Sequence, residues 1–120
     1  MASFAQINAQ LNAIPVGRYA LPAKDGDGAY FFEIAEVKGG HRIYQLHGTP
    51  GGKGVFKQST MKFAWQVVAV AKIGADPTKA MQYFGHRTEQ CGACHSELTH
   101  ERSLACGMGP KCAPKYGVKW

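Results

Sequence analysis

All four cysteines of the chain fall within residues 91–112, in the spacing Cys91-x2-Cys94-x11-Cys106-x5-Cys112. Thiols grouped this densely can hold a metal, close disulfides, cycle as a redox couple or pack as small apolar side chains. The first pair has the zinc-knuckle form: a CxxC turn offers two sulfurs to one ion and aims backbone N–H groups at them, and Gly92 relieves the backbone there. Thr99 predicts the N-cap of a short helix over His100–Ala105 that presents Cys106 at its end, and Gly107-Met108-Gly109-Pro110 predicts the turn that returns Cys112. The expected site is therefore a structural Zn²⁺ held by Cys91, Cys94, Cys106 and Cys112, with His95 or His100 as the alternative to Cys106 for the fourth donor.

The competing chemistries each lack a requirement. Disulfides need an oxidising compartment, and Met1–Leu11 has no basic n-region, its apolar residues being interrupted by Gln6, Asn8 and Gln10. A thioredoxin-like couple at Cys91-Gly92-Ala93-Cys94 needs a strand before it and a helix after it, whereas a helix and a loop are expected upstream. His95-Ser96-Glu97 matches the HxE of zinc deaminases, but the downstream Pro-Cys-x-x-Cys is missing, since Pro110-Lys111-Cys112 runs into Ala113-Pro114. Four thiolates would also leave no position for a reactive water, so the expectation is a protein that is not an enzyme.

The run Cys91-x-x-Cys94-x3-Leu98-Thr99-x3-Ser103-x3-Gly107-Met108-Gly109-Pro110-x-Cys112 resembles a small cysteine motif of bacteriophage-encoded domains of unknown function, written CxxCxxxLTxxxSxxxGIGPxC. The likeness covers residues 91–112, about a fifth of the chain. More loosely, Ile14-Pro15-x-Gly17-Arg18-Tyr19-Ala20-Leu21 and Ala75-Asp76-Pro77 resemble segments found upstream of that motif. The resemblance implies a phage origin and a zinc-binding tail; it brings no activity with it.

The elements that must position the cysteines are legible from pattern. Met1–Ala13 reads as a short polar helix or arm ending before Pro15, Gly17–Leu21 as a strand closed by Pro22 and the turn-rich Lys24–Gly28. Tyr30–Val37 and Arg42–His47 read as strands joined through Lys38-Gly39-Gly40, and Val55-Phe56-Lys57 as a fourth. A helix is expected to start at Ser59 or Thr60 and to bury Met61, Ala64, Trp65, Val68 and Ala71 or Lys72, with Gly74 at its C′ position. Asp76-Pro77 predicts the N-cap and N1 of a second helix running to about Phe84 before Gly85. The fold class that follows is α+β, a small antiparallel sheet packed on one principal helix with a C-terminal Cys₄ zinc module. Residues 1–85 form the sheet-plus-helix body and residues 86–120 the zinc module and basic tail, together one compact unit.

Length and charge bound the function. The 120 residues suit one domain, with a modest core that a metal clamp would help hold. The net charge of +6 is uneven: residues 1–40 carry three basic against four acidic side chains, residues 41–120 eleven against four. Four thiolates on one Zn²⁺ would leave the chain at about +4, a balance that favours polyanionic partners. The longest apolar stretch, Phe63–Ala71, contains Gln66 and is far short of the ~20 residues of a membrane span, so a cytoplasmic protein without membrane contact is expected.

Gly48-Thr49-Pro50-Gly51-Gly52-Lys53-Gly54 is not a P-loop, because His47 stands where its first glycine belongs and Gly54 follows Lys53 in place of Ser or Thr. It reads as a hairpin loop whose lysine can meet a phosphate. Alternation puts Phe31 on the sheet face opposite Tyr30 and Phe32, and Arg42 shares a face with Tyr44; a face left uncovered by helices would be a basic and aromatic stacking platform, while a covered one would make these rings core. Trp120 closes a tail with three lysines and either stacks on a base or folds back as a lid on the zinc module.

Nucleic-acid binding without catalysis, DNA before RNA, is thus the expected function, as an accessory to phage replication, recombination or transcription. The expected phosphate contacts are Arg42, Lys53, Lys57, Arg102, Lys111, Lys115 and Lys119, with stacking by Phe31, Tyr44 or Trp120. The alternative is a module that captures or inhibits a host protein; binding to nucleic acid would weaken steeply with salt, and an apolar protein interface would not.

Overall fold

A computed structural model describes residues 4–23, 28–48 and 56–120. In chain order its elements are α1 (Phe4–Ala13), β1 (Gly17–Pro22), β2 (Ala29–Val37), β3 (Gly40–His47), β4 (Lys57–Ser59), α2 (Phe63–Ala75), α3 (Pro77–Thr88), α4 (Glu101–Cys106) and a 3₁₀ turn, Ala113–Tyr116. The four strands form one antiparallel sheet in the order β1-β2-β3-β4, and the architecture is α+β as the pattern requires.

The register follows from side-chain alternation. Tyr19 pairs with Phe32 and Ile34 with Ile43, so one sheet face carries these four buried side chains. That face packs with Ile7 and Leu11 of α1, Ala69, Val70 and Ile73 of α2, and Met81 of α3; Cys91, Leu98, Met108 and Cys112 belong to the same core. The opposite face carries Ala20, Phe31 and Leu46, which Phe56 and Phe84 close into a second, smaller core. The β2–β3 hairpin pairs Val37 with Gly40 across a two-residue loop, where Gly39 takes φ 91°, a backbone angle that a side chain would strain.

Several boundaries differ from the sequence pattern, each for a local reason. β4 begins two residues later than expected, because Phe56 is drawn into the second core while Lys57–Ser59 pair with His47–Gln45. Ser59 therefore belongs to the sheet, its hydroxyl 2.7 Å from His47 Nε2, and α2 starts only after Lys62, an extended N-cap without a side-chain bond. The helix also turns a different stripe inward: Ala69, Val70 and Ile73 are buried, while Ala64, Val68, Ala71 and Lys72 are exposed. Phe63–Ala71 is apolar around most of its circumference, so periodicity alone could not choose the phase.

Gly74 lies inside α2 and does not terminate it. Asp76 ends α2, its N–H donating to Ile73 O, and starts α3, its Oδ1 accepting from Lys79 N at 3.1 Å, with Pro77 at N1 as expected. α3 continues past Phe84 to Thr88 and ends where Glu89 takes φ 58°. Residues 24–27 of the expected turn and residues 49–55 of the expected loop, with the expected phosphate contact Lys53, lie outside the described residues.

Candidate metal centre

The cysteine segment is folded by short backbone bonds. Leu98 N donates to Glu89 O, Cys91 N to Ser96 O and His95 N to Cys91 O, closing residues 89–98 into a tight knuckle directly after α3. The knuckle also seals the outer edge of β1: Arg18 N donates to Gly92 O at 2.7 Å, and a Cβ on Gly92 would sit 2.3 Å from Arg18 O. Glycine at 92 is thus required by backbone contact with the sheet, a tighter reason than relief of the CxxC turn alone.

Downstream, α4 is capped by His100 in place of Thr99; its Nδ1 accepts from Arg102 N at 3.1 Å. Gly107 takes φ 78° and turns the chain back, and Cys112 N and Ala113 N both donate to Gly109 O. This turn delivers Cys112 to the knuckle. The sulfurs of Cys91, Cys94 and Cys112 lie within 4.8 Å of one another, a group that could hold a metal ion. Tetrahedral Zn–S bonds of about 2.3 Å place sulfurs about 3.8 Å apart, so the triangle needs only a small contraction to close on zinc.

Electrostatics within the triangle match thiols that share protons. Burial pushes Cys94 upward, but hydrogen bonds from the Ser96 side chain and backbone and from the thiols of Cys112 and Cys91 outweigh it and bring Cys94 down to about 7. Burial first, then its contacts with Cys94 and Cys91, push Cys112 up to about 12. Tyr116, at the end of the 3₁₀ turn, is raised by burial and by the nearby Cys112 and Cys91. Nothing in the cysteine spacing marks Tyr116 or Ser96 as neighbours of the site; both come there by the folding of the turns.

The fourth expected ligand is not in the group. Cys106 Sγ donates to Met108 O at 3.3 Å, and the Cys106 carbonyl accepts from Gln82 Nε2 of α3 at 3.0 Å. Chain geometry explains the difference: Gly107 is pressed against Gln82 of α3, which ties the end of α4 to that helix, while the turn beyond it carries Cys112 to the knuckle. Neither histidine replaces Cys106. The His100 ring caps α4 and stacks on Trp120 at 4.8 Å, and His95 has its pKa lowered by burial and by Arg18, against the opposing effect of Glu33.

The expected nucleic-acid contacts divide into two places. On the sheet, Arg42 is exposed with its guanidinium 5.4 Å from the ring of half-buried Tyr44, and Lys57 is exposed on β4. On the cysteine segment, Arg102, Lys111, Lys115 and Lys119 are exposed, Arg102 lying 5.5 Å over Trp120. Phe31 is not available for stacking: at 4 % exposure it is wedged between Phe56 and Phe84, each 5.8 Å away. Trp120 folds back as a lid, its Nε1 donating to Ser103 Oγ at 2.8 Å.

No helix among the described residues is long and apolar enough to cross a membrane. No curated protein and no solved structure matches the chain. Residues 81–117, which run from the middle of α3 through the cysteine triangle to the end of the 3₁₀ turn, are similar to a family of unknown function (DUF6011).

Proposed function

We propose that the chain is a noncatalytic, zinc-stabilised nucleic-acid-binding protein, with Cys91, Cys94 and Cys112 holding the ion and a basic surface beside them meeting phosphates. The observation that carries this reading is the coincidence of the two features on one segment. Lys111 and Lys115 flank Cys112, and Lys119 and Arg102 flank the folded-back Trp120. Among the described residues, none of these four cations is ion-paired with an acid. Such a surface can lie along a phosphate backbone, with the Trp120 and Tyr116 rings adjacent. Arg42, Tyr44 and Lys57 offer a second contact on the sheet. DNA is favoured over RNA, in a phage accessory role, on the strength of the cysteine motif's resemblance alone.

The noncatalytic part of the reading does not rest on ligand saturation, since three sulfurs leave one tetrahedral position. It rests on the sequence: the HxE of His95 and Glu97 lacks the downstream Pro-Cys-x-x-Cys of a zinc deaminase. Bound zinc would neutralise two of three thiolates and fix the knuckle to the Cys112 turn.

Fluorescence anisotropy with labelled single-stranded and duplex oligonucleotides tests the reading. Binding at low salt that weakens steeply as salt rises is the expected result. Absence of binding at low salt sinks it, and salt-insensitive capture of a protein would move the function to the other class.

A further inference from the structure

We propose that the groove between the end of β1 and the α2–α3 corner binds a small amphipathic anion, a medium-chain carboxylate, with its tail on apolar walls and its head group between Lys72 and Lys79. The groove measures about 500 Å³. Three elements wall it: Ala20, Leu21 and Pro22 of β1, Ala75 at the end of α2, and Ala80 and Tyr83 of α3. Each element contributes an alanine to the gap, so a space remains that larger side chains would have filled. A docking helix, about 10–12 Å across, fills roughly 500 Å³ with a single turn, so the space suits a small molecule better than a helical peptide.

The rim supplies the charge. Lys72, in the last turn of α2, and Lys79, in the first turn of α3, line the same groove; both are exposed, and among the described residues neither is ion-paired. Asp76, the one acid among the described lining residues, gives its Oδ1 to Lys79 N as the α3 cap. The other polar side chains on this side are turned to the α4 backbone: His86 Nε2 lies 2.9 Å from Ala105 O, and Gln82 Nε2 donates to Cys106 O. Two lysines beside apolar walls select a ligand with an anionic end and a hydrocarbon body. The groove shares no lining residue with the cysteine triangle or with the expected phosphate contacts, so its test is independent of the nucleic-acid reading.

Titration of the full-length protein with hexanoate, octanoate and decanoate, followed through its backbone amide resonances, tests the proposal. The expected result is saturable shifts at Leu21, Ala75 and Ala80, with affinity rising about fourfold per added methylene, the equivalent of ~0.8 kcal/mol for each buried CH₂. Decanol, with the same tail and no charge, should bind more weakly than decanoate. Lys72→Glu combined with Lys79→Glu, both at exposed positions, should weaken decanoate about tenfold and leave decanol unchanged. Ala75→Trp should fill the groove and abolish binding of both. No saturation at millimolar decanoate, equal affinities for decanol and decanoate, or full affinity in Ala75→Trp overturns the proposal. Groove resonances that move on dilution of the ligand-free protein mean that a second copy of the chain occupies the groove, which overturns it as well.

Discussion

Gly85 of α3 and Gly107 after α4 meet backbone to backbone: a Cβ placed on Gly85 would lie 1.9 Å from the Gly107 carbonyl oxygen. Gly107 presses on the same helix, since its own Cβ would come 2.3 Å from Gln82 O. The neighbour here is main chain, which cannot swing aside as a side-chain tip can. Gly85→Ala should cost at least the ~1–3 kcal/mol of overpacking, despite alanine's better helix propensity. A lowered denaturant midpoint checks this. Because Gly107 leads into the turn that carries Cys112, the same variant should also bind zinc more weakly by competition with a chromophoric chelator.

Metal removal should destabilise the fold. The three sulfurs join the knuckle that follows α3 to the turn at residues 109–113, so an ion bound there is linked to folding. Zinc at a hundred times its dissociation constant contributes about 2.7 kcal/mol. Thermal melts with zinc and with a chelator should differ clearly for the wild type, and Cys94→Ser should abolish most of that difference.

The basic tail makes a quantitative expectation for nucleic acid. Each lysine that contacts a duplex phosphate adds about 0.9 to the slope of log affinity against log salt. Replacing Lys111, Lys115 and Lys119 together by glutamine should therefore flatten the slope by roughly 2.7 if all three make contact. Anisotropy titrations across a salt series measure it, and an unchanged slope would remove the tail from the interface.

Phe31 separates core from surface function. It packs on Phe56 and Phe84 in the second core, so Phe31→Ala should lose about 3–5 kcal/mol of stability. Oligonucleotide affinity per folded molecule should stay at the wild-type value, which titrations well below the variant's melting temperature would show.

Alkaline pH should weaken the fold through Tyr19. Its phenol is 0 % exposed, donates to Pro15 O, and is held well above its ordinary 10.0 by burial first and by Tyr116 second. A raised folded-state value means that the stabilisation is fully present below pH 10.0 and is lost as pH rises above it, because the unfolded chain releases the proton first. Denaturant melts between about pH 9 and about 11 should show the decline, and Tyr19→Phe should flatten it.

Alternation and punctuation were enough, from sequence alone, for strands at 17–21, 30–37 and 42–47, each within two residues of the observed bounds, and for the start of α3 at Asp76-Pro77, because these signals are local: the period of the pleat, the φ of proline and the cap of an acid. The CxxC knuckle was legible for the same reason. Only the tertiary structure decided which stripe of α2 is buried, since Phe63–Ala71 presents apolar side chains almost all round. It also decided that Cys112 joins the group while Cys106, expected beside it, does not. Both stand within reach along the chain, and the contact of Gly107 with α3, made across residues distant in sequence, keeps the Cys106 end of α4 on the helix while the following turn carries Cys112 to the knuckle.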